Sequence, residues 1–223
     1  AARQIEISNW FGDIESTFYH HPKSPHYDIF RVSNDEQEGC RNVGISGWHI
    51  DGSFLDQPFK IQTMHFWSVS QEGGTEFSPL KEVIASLPAD LRKKWQALYF
   101  VSSQGQVVHP LIYTHPVTQD PTLCIHTGEP FVRSFVSGFD PDTMTADEIM
   151  NWQQTQDQLI EISEKLSNKA LIYSHQWQQY DFAIIDNLAI AHRAVPETQL
   201  PASEVGLRIL HRTSVKGQHK PQK

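Results

Sequence analysis

The segment Tyr180-Asp-Phe-Ala-Ile-Ile-Asp186-Asn187-Leu-Ala-Ile-Ala-His192-Arg193 places a histidine among apolar residues. Phe182–Ile185 predicts a β-strand that ends at the turn-forming pair Asp186-Asn187. His192 follows within a second apolar run, where a charged and unpaired imidazole would cost stability. His192 is therefore either a hydrogen-bonded core residue or a ligand, and the choice depends on the rest of the chain.

A second motif, Trp48-His49-Ile50-Asp51-Gly52, supplies two further ligand types. On a β-strand, residues i and i+2 project to the same face, so His49 and Asp51 are predicted to point at one ion. An imidazole and a carboxylate are two of the three ligands in the facial triad of non-haem Fe(II) oxygenases. A His-x-Asp pair taken alone is more often structural, so the interpretation needs a third ligand.

A third motif, Leu207-Arg208-Ile-Leu-His211-Arg212, lies on a β-patterned segment. Arg208 and Arg212 are four residues apart, which puts both side chains on one face of a strand. A guanidinium directed inward requires an anion, and its planar fork matches a carboxylate. The alternative for either arginine is a surface salt bridge with one of the 26 acidic residues.

The order of these motifs resembles the taurine dioxygenase/2,4-D dioxygenase-like (TauD/TfdA) family of Fe(II)- and 2-oxoglutarate-dependent oxygenases. The shared order is His-x-Asp, a long gap, a distal histidine, and an arginine sixteen residues later. Further matching segments, which extend the resemblance over about residues 10–215, are Phe11-Gly12-Asp13-Ile14, Gly73-Gly74-Thr75, Val108-His109-Pro110, Thr114-His115-Pro116-Val117-Thr118 and Trp177 with Asp181. This ordered combination is specific.

The resemblance implies a fold. We expect a single domain over residues 1–223, mainly β with some helix (α+β), arranged as a double-stranded β-helix. This is a cupin-like jelly roll with helical insertions. The chain begins close to the Phe-Gly segment, so part of the family's N-terminal portion is expected to be missing.

The resemblance also implies a metal centre and a cosubstrate site. The metal, Fe(II), would be held by three catalytic ligands, His49, Asp51 and His192. Arg208 would bind the distal carboxylate of the cosubstrate 2-oxoglutarate, and Thr75 would assist it. An ungapped count puts Glu76 at the family's threonine position, but a carboxylate there would repel the cosubstrate, so Thr75 is favoured.

The implied reaction uses O2, converts 2-oxoglutarate to succinate and CO2, and hydroxylates an unactivated C–H bond. Ascorbate is expected to help in vitro. Related halogenases replace the ligand carboxylate with a small residue to admit chloride, so the intact Asp51 predicts hydroxylation or another oxidation. Two alternatives remain open: a tailoring oxygenase that acts on a natural-product scaffold, and a jelly-roll module that binds a metal without turnover.

We expect a small-molecule substrate that is anionic or zwitterionic, because Arg212 occupies the family position that pairs with a substrate anion. Other candidate substrate contacts are Trp48 and Phe131, together with Phe54 and Arg133. The positions of the taurine-type substrate contacts carry other residue types: Thr17, His20 and Ile45. Taurine itself is therefore not expected.

Local patterns predict the secondary structure independently of the resemblance. Ile61–Val69 is rich in β-formers, and Pro79–Leu98 has a helical apolar repeat that Pro88 should divide. Thr145-Ala-Asp-Glu148 matches a capping box. The helix it predicts has a buried face of Ile149, Trp152, Leu159, Ile160 and Leu166. Further strands are expected at Ala170–Tyr173 and Leu207–Leu210, giving an antiparallel sandwich or barrel with helices packed on it.

Composition excludes several classes of protein. A net charge of −8 argues against sequence-independent nucleic-acid binding, and no apolar stretch reaches the roughly 20 residues of a membrane span. Two cysteines are too few for a disulfide scaffold, so a reduced cytoplasmic compartment is expected. A homo-oligomer remains open. The 12 histidines exceed what one metal centre needs, and most are expected to be structural.

Overall fold

The computed structural model describes residues 1–16, 19–103 and 107–223, and this part of the chain consists mainly of short β-strands. The strands are β1 (Ile14–Glu15), β2 (Phe30–Ser33), β3 (Ile61–Ser68), β4 (Thr75–Pro79), β5 (Leu98–Ser102), β6 (Val108–Pro110), β7 (Ile112–Thr114), β8 (Pro121–Leu123), β9 (Val132–Ser137), β10 (Glu148–Ile149), β11 (Tyr173–His175), β12 (Phe182–Asp186), β13 (Ile190–Ala194) and β14 (Ile209–Val215). The helices are α1 (Ala2–Asn9), α2 (Leu80–Ser86), α3 (Ala89–Ala97), α4 (Trp152–Leu166) and α5 (Ala202–Val205), with a 3-10 turn at Pro196–Gln199. The prediction of a mainly β chain with helical insertions is confirmed.

The strands pair antiparallel in three sheets and one hairpin. The large sheet has the order β1-β14-β3-β12, and β2 also pairs with β14. The small sheet is β11-β4-β13, and the helix-covered sheet is β10-β9-β5-β6. Strands β7 and β8 form the hairpin. Strands distant in sequence therefore lie side by side.

One core lies between the large and the small sheet. It contains Met64 and Phe66 of β3, Leu210 of β14, and Phe77 of β4. Side chains alternate along β14, so Leu210 faces this core while the hydroxyl of Thr213 hydrogen-bonds Ser8 of α1 on the other face. Arg208 and Arg212 share the parity of Leu210 and face inward, as their spacing predicts.

A second core lies under the helices. The apolar faces of α2, α3 and α4 pack against β5, β9 and the β7–β8 hairpin. Its largest fully buried side chains include Trp48, Trp95, Phe100 and Phe135. The predicted division at Pro88 is confirmed, because α2 ends at Ser86 and α3 begins at Ala89.

The predicted start of the long helix is wrong. The capping box is formed by Asn151 and Gln154, whose side chains each accept the other's backbone N–H, and α4 begins at Trp152. Glu148 and Ile149 instead pair with β9 as β10, and Thr145 bridges to Asp140. A Thr-x-x-Glu pattern is a local signal. Here the backbone of the same residues pairs with other segments of the chain, so it does not start a helix.

The predicted buried face of that helix is only partly correct. Leu159 and Leu166 are buried, but Ile149, Trp152 and Ile160 are exposed. Thr155, Gln158 and Ile162 complete the face that packs on the core. The strand expected at Ala170–Tyr173 is also displaced, since β11 covers Tyr173–His175.

Strands β3 and β12 match their predictions within one residue, and β14 lies farther along the chain than Leu207–Leu210. Both cysteines are free thiols. Among the helices of the described residues, none combines the length and the hydropathy needed to cross a membrane.

Candidate metal centre

The two histidines expected to bind a metal are held together by their own backbones. The His49 N–H donates to the carbonyl of His192 at 3.1 Å, and the His192 N–H donates back to His49 at 2.9 Å. The ring centroids lie 4.5 Å apart. His192 lies on β13, whereas His49 lies in an extended segment with isolated bridges rather than in the regular strand that we predicted.

Asp51 is positioned by Asn187, which follows β12 and is fully buried. The Asn187 side chain accepts the Asp51 N–H at 2.8 Å and donates to the Asp51 carbonyl at 2.9 Å. Its amide also donates to the Phe59 carbonyl at 2.6 Å. The Asp-Asn turn therefore clamps the segment that carries the carboxylate.

The predicted triad is brought together. His49, Asp51 and His192 each present a ligand atom within 4.8 Å of the other two. The Nε2 atom of His49 is 3.9 Å from one Asp51 carboxylate oxygen, and the Nε2 atom of His192 is 3.4 Å from the other. Both imidazoles are almost fully buried. Two imidazole nitrogens and one carboxylate form the donor set of the facial triad.

The His49 ring is oriented by its second nitrogen. Nδ1 lies 2.8 Å from the Gly47 carbonyl, so Nδ1 carries the proton and Nε2 is left as an acceptor toward the triad. Gly47 has a φ of +139°, and a Cβ there would come within 2.5 Å of the Thr127 hydroxyl. Burial, with the neighbouring His192, lowers the pKa of His49 to about 4, which favours the neutral, ligating form.

The Asp51 carboxylate is surrounded by donors. Arg212 donates to it from Nη1 at 2.8 Å, and the buried Gln62 amide donates to the same oxygen. Burial alone would raise the pKa of Asp51, but the Arg212 charge and the His192 hydrogen bond outweigh it and hold that pKa well below its ordinary value. The carboxylate is therefore ionised at neutral pH.

Arg208 is a buried cation without a visible anion. Its side chain is 3% exposed, and within the described residues its Nε and Nη1 atoms have no hydrogen-bond partner. The guanidinium lies over the Phe66 ring at 5.0 Å. Burial lowers the pKa of Arg208 to about 10, so it stays charged at neutral pH. An unpaired buried charge of this kind is costly unless a ligand compensates it.

Thr75 is linked to Arg208 through two aromatic rings, and Glu76 faces away. The Trp177 indole donates to the Thr75 hydroxyl at 2.9 Å and stacks on Phe66, the ring under Arg208. On β4, Thr75 shares the face of Phe77, which opposes His192. Glu76 alternates to the other face and binds Arg193 at 2.6 Å.

A cavity of about 450 Å³ opens beside the triad. Its walls include His49, Asp51 and Arg212, and they also include two predicted aromatic residues, Phe54 and Phe131. These two rings stack with their centroids 6.5 Å apart. The structure thus joins two of the triad residues, His49 and Asp51, with Arg212 and Phe131 around one space.

Other predicted substrate contacts lie elsewhere. Trp48 is fully buried in the helix-covered core, where its indole donates to Ser167 at 2.8 Å, and it does not line the cavity. Its ring also lies under Arg193. Arg133 is exposed on β9. Thr17 falls outside the described residues.

Sequence reasoning missed His126. Its ring stacks between His49, at 4.7 Å, and Phe131, at 3.9 Å, and it lines the cavity. Burial and the neighbouring His49 lower its pKa to about 2, so it is neutral. The Gly128 N–H donates to Nδ1 at 3.0 Å, which leaves Nε2 protonated. No motif marks this residue, because only the fold brings residues 126 and 49 together.

The amino-acid sequence also matches a family model over almost its full length. The model described as "Taurine catabolism dioxygenase TauD, TfdA family" aligns with residues 1–214. The chain belongs to this family. The predicted resemblance is therefore confirmed over nearly the full length of this TauD/TfdA chain.

Two curated relatives show how far the likeness extends. Tyrosine isonitrile desaturase of Erwinia amylovora (strain CFBP1430) is 27% identical over 153 residues, which cover 65% of this TauD/TfdA chain and 51% of the relative. Alkylsulfatase of Acinetobacter baylyi is 24% identical over 219 residues, which cover 83% of this chain and 62% of the relative. The chain thus spans between half and two thirds of the length of these relatives.

Solved structures share the fold of this TauD/TfdA chain. A putative α-ketoglutarate-dependent taurine dioxygenase from Burkholderia xenovorans superposes with a TM-score of 0.74 at 22% identity, covering 98% of this chain and 75% of the other. AAD-2 in complex with Mn(II) and N-oxalylglycine superposes with a TM-score of 0.76 at 19% identity. The superposition covers 99% of this chain and 82% of AAD-2.

Proposed function

We propose that this chain is an Fe(II)- and 2-oxoglutarate-dependent dioxygenase that hydroxylates an unactivated C–H bond of a small molecule. The observation that carries the proposal is the largely buried His49–Asp51–His192 group beside a cavity of about 450 Å³. Membership of the TauD/TfdA family, whose model matches residues 1–214, supports the same reaction class.

The donor set supports a divalent metal. His49 is fixed in the tautomer that leaves Nε2 free, and Asp51 is held ionised by Arg212. Two imidazoles and one carboxylate leave coordination positions open on Fe(II). When bound, Fe(II) supplies O2 activation, which is coupled to the conversion of 2-oxoglutarate to succinate and CO2.

The unpaired guanidinium of Arg208 supports the cosubstrate assignment. Its planar fork matches a carboxylate, and a dianion such as 2-oxoglutarate would compensate the buried charge. Thr75 is the hydroxyl that we assign to the same carboxylate, because it shares the inward face of β4 with Phe77. Three other residues support the site. Phe54 and Phe131 exclude water from the cavity, and Asn187 fixes the position of Asp51.

The family assignment supports two structural proposals as well. We propose that residues 1–223 form one domain, and that the large and small sheets are the two halves of a double-stranded β-helix. Met64 and Phe77, one from each sheet, pack in one core, which is consistent with sheets that face each other.

The test is a metabolite screen with Fe(II), ascorbate and 2-oxoglutarate, read out as succinate and as a product mass gain of one oxygen. Adding Fe(II) and 2-oxoglutarate without O2 should produce a visible charge-transfer absorption, and His49→Ala should abolish it. Glu164→Gln, a change on the exposed face of α4, is the matched control. If the parent and His49→Ala are indistinguishable in both assays, the proposal fails. O2 uptake coupled to 2-oxoglutarate separates an enzyme from a module that only binds metal.

The name of one relative supports desaturation as a second outcome of the same oxidation. The curated Erwinia protein is a desaturase, so the same site supports removal of two hydrogens from a natural-product scaffold. The screen distinguishes the two outcomes, because desaturation gives a product that is lighter by two hydrogens rather than heavier by one oxygen.

A further inference from the structure

The walls of the cavity beside the triad are acidic. Besides Asp51, three carboxylates line it: Glu15, Asp28 and Glu129. Glu15 lies 3.7 Å from Lys216. Within the described residues, neither Asp28 nor Glu129 forms an ion pair with a lysine or arginine.

Asp28 and Glu129 make polar contacts that do not neutralise their negative charge. Asp28 accepts from the Ser16 hydroxyl at 2.9 Å and lies 3.5 Å from the His26 ring, and Glu129 accepts from Gln156 at 3.4 Å. A neutral hydroxyl or amide hydrogen-bonds a carboxylate without neutralising it. The cavity therefore carries uncompensated negative charge away from the triad.

The cation that was expected to receive an anionic substrate is partly paired within the site. Among the described residues that line the cavity, Arg212 is the one lysine or arginine. Its Nη1 donates to Asp51, its guanidinium lies over Phe30 at 5.0 Å, and its Nε is buried without a partner. One N–H group of Arg212 is therefore already paired with Asp51.

The apolar part of the cavity is aromatic. Phe54, Phe131 and Tyr19 line it together with Phe30. Aromatic faces attract ammonium groups and bury apolar carbon, so these walls suit a cation with a hydrophobic body. Carboxylates and aromatic rings in one cavity favour the same ligand chemistry.

We propose that the substrate carries a positively charged amine on an apolar or aromatic body, and that Asp28 and Glu129 select for it. This rests on the proposed function in that the cavity is taken as the substrate site. A zwitterion enters by its ammonium group, whereas a simple anion is disfavoured.

The test is calorimetric binding of two probes of matched shape, 2-phenylethylamine and 3-phenylpropionate, to the Mn(II)- and 2-oxoglutarate-loaded chain and to the metal-free chain. The amine should bind at least about tenfold more tightly than the carboxylate. Because binding is measured without turnover, its result is separate from the succinate assay that tests the proposed function.

Variants assign the selectivity to residues. Asp28→Asn combined with Glu129→Gln should weaken amine binding about fivefold, as expected for two partly exposed charge pairs, and should not weaken binding of the carboxylate. Glu129→Gln alone, at an exposed position, should shift affinity in the same direction with no effect on folding. Glu164→Gln carries the same charge change on α4, away from the cavity, and should leave both affinities unchanged.

Three results would overturn the proposal. They are equal or tighter binding of 3-phenylpropionate, no amine binding at millimolar concentration, and an amine preference that survives the double substitution. Succinate production driven by an anionic substrate would overturn it too, while leaving the proposed dioxygenase function intact.

Discussion

Asp51 shows how a largely buried carboxylate is kept charged. One of its oxygens lies near Arg212, Gln62 and His192, and its backbone is clamped by Asn187. Burial would otherwise favour the neutral acid, which binds metals poorly. The negative charge at the triad therefore depends in part on Arg212 and Gln62, which lie outside the ligand set.

Gln62→Met should weaken divalent metal binding about tenfold, because it removes one donor that orients the Asp51 carboxylate while roughly keeping the side-chain volume. Titration with Mn(II) followed by electron paramagnetic resonance measures the affinity. Gln153→Met, at an exposed position of α4, is the control and should change nothing. An unchanged affinity in Gln62→Met would show that Arg212 alone holds the carboxylate.

His211 should make stability depend on pH. Burial and the adjacent Arg31 lower its pKa to about 4, so the folded state disfavours the charged ring. The unfolded chain takes up the proton first, below its ordinary pKa of about 6.5, so this contribution is complete above that pH and is lost as the pH falls toward about 4.

The expected loss is about 1–2 kcal/mol between these two pH values, measured by urea unfolding. His211→Gln keeps an acceptor for the Arg31 N–H, which lies 2.7 Å from the ring, and should flatten this part of the profile. A variant with the same slope as the parent would contradict the assignment.

At the scale of elements, the alternation of side chains along β4 places Thr75 and Glu76 on opposite faces of the strand. Thr75 faces inward toward Trp177, and Glu76 faces outward toward Arg193. An ungapped alignment cannot decide between two adjacent residues, but the pleat of a strand does, because neighbours point to opposite faces.

Thr75→Val should raise the KM for 2-oxoglutarate several-fold, because it removes the hydroxyl on the inward face. It should also cost about 1–3 kcal/mol by leaving the Trp177 N–H unpaired in the core. Glu76→Gln, one residue along, should leave that KM unchanged. A steady-state assay at varied 2-oxoglutarate checks both, and the opposite pattern would place Glu76 at the cosubstrate.

Helix α4 offers a test of its observed N-terminus. Asn151→Ala should destabilise the protein by about 1 kcal/mol, because it removes the side chain that accepts the Gln154 N–H. Thr145→Ala, at the predicted but incorrect cap, should cost less than about 0.5 kcal/mol since that residue is exposed. Equal losses in denaturant unfolding would contradict the observed cap.

At the scale of the whole molecule, the triad joins distant parts of the chain. His49 and Asp51 lie between β2 and β3 of the large sheet, and His192 lies on β13 of the small sheet. A metal bound by all three therefore ties these elements together, and ligand binding to the folded state alone adds stability.

Mn(II) with 2-oxoglutarate, each at about a hundred times its Kd, should add at least about 3 kcal/mol and raise the Tm by roughly 5–10 °C. Differential scanning calorimetry measures the shift. His49→Ala should lose most of it. A shift of the same size in that variant would mean that the metal binds elsewhere.

The sequence by itself determined the family, and that resemblance predicted the ligand set, while strand parity predicted the inward arginines. The resemblance follows from the order and spacing of motifs along the chain, and the parity follows from the alternation of side chains at i and i+2 on a strand. The helix break at Pro88 and strand β12 are equally local. Where a local signal competed with sheet pairing, as at Thr145–Glu148, the sequence reading failed.

Only the tertiary structure decided what surrounds the triad. Asn187 and His126 reach it from segments far from His49 in sequence, and Gln62 reaches it from β3, so their contacts with the triad depend on how the chain folds. The pairing of Arg212 with Asp51 likewise depends on β14 being brought next to the segment that carries Asp51. Charge compensation is a property of neighbours in space, which is why the acidic cavity, and with it the proposed amine substrate, emerges from the fold alone.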